Sequence, residues 1–130
     1  MSRGTARMRM RIAILDDEPL MANLVSDMLS SANVDTELFY LAADFLKSRE
    51  IFSFDTLILD LSLPDIDGFE LMDRIAPMGL ACSLVLMTGH AQAALQASSL
   101  YAKGIGLDVR AAICKPFSRD ELLMAIGIPA

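Results

Sequence analysis

Cysteine is scarce in this chain of 130 residues, which contains only Cys82 and Cys114. Two cysteines are too few for the disulfide framework of a small secreted protein, and they lack the paired spacing of a zinc site. A chain of this length buries enough apolar surface to fold without either kind of cross-link. We therefore expect one domain that is held together by its core and lies in the reducing cytoplasm.

Basic residues are few outside one short segment. Four of the eleven lysines and arginines lie within the first eleven positions, where there is no acidic residue, and all 17 acidic residues lie in the rest of the chain. An acidic body lacks the clustered positive charge that binds nucleic acids, so we expect no direct nucleic-acid binding. Residues 1–9 are predicted to form a basic N-terminal tail, without the apolar segment of a signal peptide, and residues 10–130 the folded domain.

Charged residues are absent from one long segment, residues 75–102. Such a segment raises the question of a membrane span, which needs about 20 consecutive apolar residues. Pro77, Gly79, Gly89 and several polar side chains interrupt this one. We therefore reject a membrane span and expect no membrane partner.

The sequence does contain a regular alternation of short apolar runs and helical segments. The apolar runs, which predict β-strands, are 11–15, 34–39, 56–60, 83–87 and 109–114. Helices are predicted at 20–29, 41–50, 69–75, 91–103 and 118–127. Because the strands are apolar throughout, and not only at every second residue, both faces of their sheet should be covered by helices. The pattern predicts a three-layer α/β fold of five βα units with a doubly wound parallel sheet.

Two of the predicted helices carry more detailed signals. The last helix should begin with a capping box of Ser118 and Glu121 and a hydrophobic staple of Phe117 and Leu122. The apolar residues of the first helix recur at helical spacing, which predicts one apolar face opposite a polar one. The members of this apolar face are Leu20, Met21, Leu24, Val25, Met28 and Leu29.

Five polar residues stand at the ends of the predicted strands. Asp16 and Asp17 follow the first strand, and Asp60, Thr88 and Lys115 end the third, fourth and fifth. Since the carboxyl ends of parallel strands share one edge of the sheet, these side chains should meet in one crevice. Three carboxylates at short distance oppose each other's ionisation unless a cation compensates them.

The chemistry of this set favours a magnesium and phosphate site. Mg²⁺ prefers oxygen ligands and commonly binds phosphate oxygens as well. A lysine ammonium and a threonine hydroxyl add the positive charge and the hydrogen-bond donor that suit a phosphoryl group. The sequence has no P-loop, no GxGxxG motif and no Ser-His-Asp arrangement, so nucleotide hydrolysis and acyl transfer lack their components.

Four segments of the chain resemble the motifs of one family. They are Asp16-Asp17-Glu18-Pro19, the segment from Asp60 to Gly68, Met87-Thr88-Gly89 and Lys115-Pro116-Phe117. In this order and at these strand ends they resemble the receiver domain of two-component response regulators, over about residues 10–127. The resemblance implies a flavodoxin-like, CheY-like fold with strand order 2-1-3-4-5 and a cis peptide bond before Pro116.

The resemblance also implies a role for each residue of the crevice. Asp60 would accept a phosphoryl group from a phosphohistidine on a sensor histidine kinase or a phosphotransfer protein. Slow self-catalysed dephosphorylation would follow, so the chain is not expected to be an enzyme in the usual sense. Asp17, Asp60 and the backbone carbonyl of Ser62 would bind Mg²⁺, with Asp16 acting through water. The residues expected to contact the phosphoryl group are Thr88 and Lys115.

One position departs from the family pattern. Ala112 stands three residues before Lys115, where receivers usually carry an aromatic residue that turns inward on activation. A methyl group cannot make this movement, so we expect another output route, involving Tyr101 or the fourth helix. The interval from Thr88 to Lys115 is longer than usual, and together with residues 106–109 it resembles receivers joined to EAL-type cyclic-di-GMP phosphodiesterase domains. The expected output partner is such a domain or another effector protein, and the oligomeric state stays open, a homodimer included.

Plainer interpretations of these residues compete with the functional ones. The alternative for Asp16 and Asp17 is that they only cap the first helix. Asp65 and Asp67 are predicted to be turn residues around a glycine, without a metal role. His90 is the single histidine, and the hypothesis that it borders the phosphorylation pocket competes with that of an exposed loop residue.

Two other functions also compete. The first is a pseudo-receiver, an interaction module that no longer responds to phosphate, which Ala112 keeps in consideration. The second is a haloacid-dehalogenase-like phosphohydrolase, which likewise uses an aspartate nucleophile, Mg²⁺ and a lysine. That family needs a second acid two positions after the nucleophile, where Ser62 stands in this chain, so we rank it low.

Overall fold

The computed structural model describes residues 9–89 and 92–128. Within them the chain forms one parallel sheet of five strands in the order β2-β1-β3-β4-β5. This is the predicted strand order, and each of the five strands differs from its predicted bounds by at most one residue. The strands are β1 (Met10–Leu15), β2 (Val34–Phe39), β3 (Thr56–Asp60), β4 (Ser83–Thr88) and β5 (Asp108–Cys114).

In the part of the chain that the structure describes, five α-helices connect and cover the strands. They are α1 (Pro19–Met28), α2 (Ala42–Lys47), α3 (Gly68–Ile75), α4 (Gln92–Gly104) and α5 (Arg119–Ala125). The predicted helix 41–50 is shorter in the structure, because α2 ends at Lys47 and a separate 3-10 turn follows at Ile51–Ser53. The predicted start of α4 at residue 91 lies outside the described residues.

The helices cover both faces of the sheet, which explains the continuously apolar strands. On one face α1 and α5 pack against Ile12, Ile14 and Ile58, and on the other α2, α3 and α4 pack against Leu57 and Leu59. All five residues of β3, the central strand, are buried. The predicted three-layer α/β architecture is therefore confirmed, with an apolar core on each side of the sheet.

The predicted apolar face of α1 is only partly buried. Ala22 and Val25 are buried within the core, but Leu20 is 88% exposed and Leu24 is 46% exposed. A helix that lies on a sheet touches it along one narrow stripe, so residues at the margin of a broad apolar face stay in contact with solvent. Leu20 and Leu24 thus lie at the solvent-exposed margin of the predicted apolar face.

The start of α5 follows its sequence signal. The Ser118 hydroxyl oxygen accepts a hydrogen bond from the Glu121 N–H at 3.0 Å, and the Glu121 carboxylate accepts one from the Ser118 N–H at 2.9 Å. Phe117 and Leu122 are both buried in the same apolar cluster. The predicted capping box is confirmed, and it orients the chain that leaves the end of β5.

Burial of Cys82, just before β4, leads to a testable prediction. Burial raises the pKa of its thiol from 9.0 to about 11, which leaves about 100-fold less thiolate at pH 8. In a Cys114→Ala variant, we expect iodoacetamide to label native Cys82 about 100-fold more slowly than the same chain in urea. Equal rates would contradict the buried position.

The same shift has a consequence for stability at high pH. Since the folded pKa of Cys82 lies above the unfolded one, the neutral thiol favours the folded state below pH 9. This contribution is lost as the pH rises from 9 to 11.

None of the helices within the two described segments has the length and apolar character that crossing a membrane requires.

Candidate functional site at the carboxyl edge of the sheet

The strand register brings the predicted site residues to one edge of the sheet. Leu15, the last residue of β1, pairs with Leu59 of β3, so Asp16 and Asp60 are the next residues on neighbouring strands. Thr88 pairs with Cys114, the residue before Lys115. Strand ends that are far apart in the sequence thus meet, because all five strands run in one direction.

Three carboxylates form an acidic cluster at this edge. One carboxylate oxygen from each of Asp16, Asp17 and Asp60 lies within 4.8 Å of the other two. Asp16 is 0% exposed and Asp60 is 2% exposed. Asp17 is half-buried. Carboxylate oxygens at this spacing can hold a metal ion, and a hard divalent cation suits them best.

Backbone hydrogen bonds hold Asp16 in place. Its N–H donates to the carbonyl of Phe39 at 3.0 Å, which extends the pairing of β1 and β2 by one residue. Its Oδ1 atom accepts from the Glu18 N–H at 3.0 Å, which turns the chain toward the start of α1 at Pro19. This bond reaches only the residue before the helix, and no side chain caps α1 at Glu18, so the capping interpretation is wrong for Asp16. Its second oxygen faces the cluster.

The Lys115 ammonium group joins two of the three carboxylates. Its Nζ atom lies 3.2 Å from Oδ2 of Asp16 and 3.2 Å from Oδ2 of Asp60. The Lys115 N–H donates to the carbonyl of Thr88 at 2.8 Å, and the peptide bond to Pro116 is cis, as the resemblance implies. One ammonium group thus forms ion pairs with two buried carboxylates, and Asp17 lies beside them.

The charges of the cluster shift the protonation of its members. Burial raises the pKa of Asp16 and the charge of Asp60 adds to this rise, while the Glu18 N–H and the Lys115 ammonium oppose it. Burial by itself lowers the pKa of Lys115, but Asp60 and Asp16 outweigh this effect and the pKa is raised. Lys115 is therefore a cation at neutral pH, and the negative charge of the cluster exceeds what it can balance.

The loop after β3 folds back onto Asp60. The Leu61 N–H donates to the carbonyl of Met87 at 3.0 Å, and the Ser62 N–H donates to Oδ1 of Asp60 at 3.0 Å. One oxygen of Asp60 therefore faces Ser62 and the other faces Lys115. An open cavity of about 360 Å³ gives access to this carboxylate, and its lining consists of Asp17, Glu18, Asp60, Ser62, Gly89 and Lys115.

Thr88 lies beside this cavity and borders a second one. It is buried at the end of β4 and lines a cavity of about 540 Å³ between the loop after β3 and helix α4. Ser62 lines both cavities. Thr88 thus stands between the acidic cluster and α4. His90, two positions further along, lies outside the described residues.

Two acids of the loop after β3 have capping roles. Asp67 accepts a hydrogen bond from the Phe69 N–H at 2.7 Å and caps α3, which fits its prediction as a turn residue. Asp65 accepts from the N–H groups of Ala42 and Ala43, at 3.3 and 3.2 Å. This second cap was not predicted from the sequence. The sequence signal for this cap is indirect. Leu41, the residue before α2, has no side chain that can cap the helix, so the first N–H groups of α2 need an acceptor from elsewhere in the chain.

Known proteins with similar sequences are response regulators. A protein family described as "Response regulator receiver domain" matches residues 12–127. Among curated proteins, the transcriptional regulatory protein DltR of Streptococcus agalactiae is 29% identical over 121 residues, covering 92% of this chain and 51% of the relative. The cell cycle response regulator CtrA of Brucella ovis is 24% identical over 117 residues, covering 90% and 48%. The chain spans about half the length of these relatives.

Solved structures give the same result. A response regulator from Colwellia psychrerythraea superimposes with a TM-score of 0.78 at 29% identity, covering 90% of this chain and 93% of that one. Full-length FixJ from B. japonicum superimposes with a TM-score of 0.77 at 28% identity, covering 92% and 57%. Since the family match spans most of the chain and the fold and cluster agree with it, the chain belongs to the response regulator receiver domain family.

Proposed function

We propose that Asp60 accepts a phosphoryl group from a phosphohistidine on a sensor histidine kinase or phosphotransfer protein. The observation that carries this proposal is the convergence of Asp16, Asp17, Asp60 and Lys115 at the end of the central strand. Asp60 is the member that both contacts the ammonium group and lines the open cavity. A carboxylate in this position can act as a nucleophile toward an incoming phosphorus atom.

The transfer requires little covalent chemistry from the protein. An oxygen of Asp60 bonds to phosphorus while the P–N bond of the phosphohistidine breaks, and the bonding electron pair stays on the imidazole nitrogen, which takes up a proton. Lys115, already 3.2 Å from Asp60, offsets negative charge on the phosphoryl oxygens. The Thr88 hydroxyl is the hydrogen-bond donor for the same group. The chain thus contributes position and charge compensation.

The donor set fits Mg²⁺. Asp17, Asp60 and the backbone carbonyl of Ser62 are the direct ligands we propose, with Asp16 acting through water. All are hard oxygen donors, and the excess negative charge beside Lys115 favours a second cation. When bound, Mg²⁺ neutralises charge on the phosphoryl oxygens. Glu18 and Gly89 line the same open cavity, through which water reaches Asp60 for slow self-catalysed dephosphorylation.

The proposed partners follow from the family. The phosphoryl group comes from a kinase or phosphotransfer protein, and the signal passes to an output domain or effector protein. The segment 106–109 makes an EAL-type phosphodiesterase domain one candidate for that output. Ala112 is half-buried on β5, where it pairs with Leu86 of β4. Because its side chain is a methyl group, it cannot act as an aromatic switch.

Intact-mass measurement with a small phosphodonor tests the proposal. We expect incubation with acetyl phosphate and Mg²⁺ to add one phosphate to the chain, and we expect chelation of the metal to prevent it. Hydroxylamine, which cleaves acyl phosphates, should remove the adduct. The absence of an adduct under any of these conditions would contradict the proposal and favour the pseudo-receiver. Continuous turnover of unrelated phosphate esters would instead favour the phosphohydrolase.

A further inference from the structure

We propose that Asp65 is a positioning residue for the metal and phosphoryl site, because by capping α2 it fixes the loop that carries Ser62 beside the acidic cluster. The loop consists of residues 61–67, between the end of β3 and the start of α3. Asp65 is not itself a metal ligand in this proposal. It acts through the loop, whose position decides where the backbone carbonyl of Ser62 lies relative to Asp60. The inference rests on the proposed function and names a further residue on which that function depends.

Asp65 supplies the acceptors that the start of α2 lacks. Leu41, the residue before α2, has an apolar side chain that cannot accept a hydrogen bond. Oδ1 of Asp65 accepts from the Ala42 N–H at 3.3 Å, and Oδ2 accepts from the Ala43 N–H at 3.2 Å. A carboxylate at the first N–H groups of a helix is also favoured by the helix dipole. One side chain thus caps a helix and, 23 positions further along the chain, links the loop to it.

The start of α2 is in turn bound to the strand end that carries the acidic cluster. Ala42, the first residue of α2, follows closely after Phe39, the last residue of β2. The Phe39 carbonyl accepts a hydrogen bond from the Asp16 N–H at 3.0 Å. This contact gives the start of α2 a fixed place relative to Asp16. A loop that is linked to α2 through Asp65 is therefore also placed relative to β1 and its acids.

The other end of the loop is bound to Asp60. The Ser62 N–H donates to Oδ1 of Asp60 at 3.0 Å. The Lys115 ammonium lies 3.2 Å from Oδ2 of Asp60 and 3.2 Å from Oδ2 of Asp16. The contacts therefore form a ring around the cluster, which runs from Asp16 through α2 and Asp65 to Asp60 and back through Lys115. Without the Asp65 side chain, this ring is open on the side of α2.

The loop depends on this link because its side toward α4 faces a cavity. Residues 61–67 line the cavity of about 540 Å³ between the loop and α4. Most residues of the loop are exposed, whereas Leu63 is buried in the apolar core that also contains Ala42 and Phe45 of α2. A segment with few buried contacts opens easily, so each hydrogen bond to a neighbouring helix has a large share in its position.

Amide hydrogen exchange of the metal-free protein, measured by NMR, tests the link. In Asp65→Ala we expect residues 43–45 of α2 to exchange faster, because the helix loses its cap. The Ser62 amide should exchange about fivefold faster as well, which corresponds to the loss of about one hydrogen bond's contribution. A Ser62 amide that exchanges as in the wild type would overturn the proposal.

A double variant separates the cap of α2 from the position of the loop. Leu41 is 40% exposed, so Leu41→Ser removes little core packing and gives α2 a cap of its own. In Leu41→Ser/Asp65→Ala we expect exchange in residues 43–45 to return toward the wild type, while the Ser62 amide stays as fast as in Asp65→Ala. Recovery of Ser62 together with α2 would show that Asp65 only stabilises the helix.

The affinity for Mg²⁺, measured by titration calorimetry, reports the consequence for the site. Outer residues that orient metal ligands contribute strongly to affinity, so Asp65→Ala should bind Mg²⁺ about tenfold more weakly than the wild type. The double variant should show the same loss, although its midpoint of urea denaturation returns toward the wild-type value. Affinity that returns together with stability would overturn the positioning role.

Two further variants separate position from charge. Asp65→Asn removes the negative charge, but its amide oxygen can still accept from the Ala42 N–H, so it should bind Mg²⁺ more tightly than Asp65→Ala. Asp44→Ala is the matched control, because it removes an exposed carboxylate from the first turn of α2 and leaves the loop untouched. It should match the wild type in Mg²⁺ affinity and in Ser62 exchange. Equal losses in all three variants would show that charge alone acts, against the proposal.

Failure of the proposed function is distinguishable from failure of this inference. A wild-type chain that binds no Mg²⁺ in the calorimeter would overturn the proposed metal site. Exchange at Ser62 in the metal-free protein then decides the role of Asp65 by itself, since it requires neither Mg²⁺ nor a phosphoryl group.

Discussion

The Asp60→Asn variant is expected to take up no phosphate under conditions that add one phosphate to the wild-type chain. An amide nitrogen and a carbonyl oxygen replace two carboxylate oxygens of similar shape, so the pocket keeps its form but loses its nucleophile. The other carboxylates and Lys115 remain in the variant. Asp16 and Asp17 follow β1, so neither takes the position of Asp60 at the end of β3. The measurement is intact mass after incubation with acetyl phosphate and Mg²⁺.

Asp67→Asn is the matched control for this variant. It removes the same charge from the loop that follows β3, while its side-chain oxygen can still accept the hydrogen bond from Phe69. We expect it to be phosphorylated like the wild type. Urea denaturation should place Asp60→Asn within about 1 kcal/mol of the wild-type stability, so unfolding would not account for the loss. A phosphate adduct on Asp60→Asn would show that another residue is the acceptor.

The Lys115→Met variant is expected to lose both stability and phosphoryl uptake. Methionine retains most of the apolar stem, but Asp16 and Asp60 lose the ammonium that lies 3.2 Å from each. Removing one partner of a buried ion pair typically costs about 3 kcal/mol, because a buried charge is left uncompensated. Loss of a positive charge that faces the phosphoryl oxygens should slow uptake by about 100-fold. Urea denaturation and time-resolved mass measurement check the two effects.

The stability loss in Lys115→Met should depend on pH in a defined direction. Burial raises the pKa of Asp16, so the folded state binds its proton more tightly than the unfolded state does. Protonation of Asp16 therefore adds to the free energy of unfolding at low pH, and this contribution is lost as the pH rises through the folded pKa. We therefore expect the deficit to shrink from pH 7 toward pH 4. Lys47→Met, a change at an exposed lysine, is the control and should cost little.

The sheet and the acidic cluster could be predicted because local patterns and one topological rule were sufficient. Runs such as Thr56–Asp60 end in a polar residue, and parallel strands bring such ends to one edge. Asp16, Asp60 and Lys115 could therefore be placed together without any contact between distant residues being known. The same rule says nothing about distances, so the shared contact of Lys115 with two carboxylates was found only in the structure.

Other features depended on contacts that no local pattern encodes. Spacing along α1 cannot tell which leucines face the sheet, and Leu20 and Leu24 remained exposed. Asp65 caps a helix that begins 23 positions earlier in the chain, so its role depends on how a loop is placed over α2. The small side chain of Ala112 drew attention to Tyr101 in the sequence. Nothing in the sequence indicated that the Tyr101 hydroxyl donates a hydrogen bond to Asp73 on α3.

The sequence by itself therefore determined the order of elements, the apolar interior on both sides of the sheet, and the residue types at the strand ends. These follow from periodicity, capping and the direction of the strands, which are properties of neighbouring residues. Tertiary structure alone decided which oxygen of Asp60 faces Lys115, which helix Asp65 caps, and which side chain of α3 Tyr101 contacts. Those outcomes depend on distances between segments, which are set only when the helices pack on the sheet.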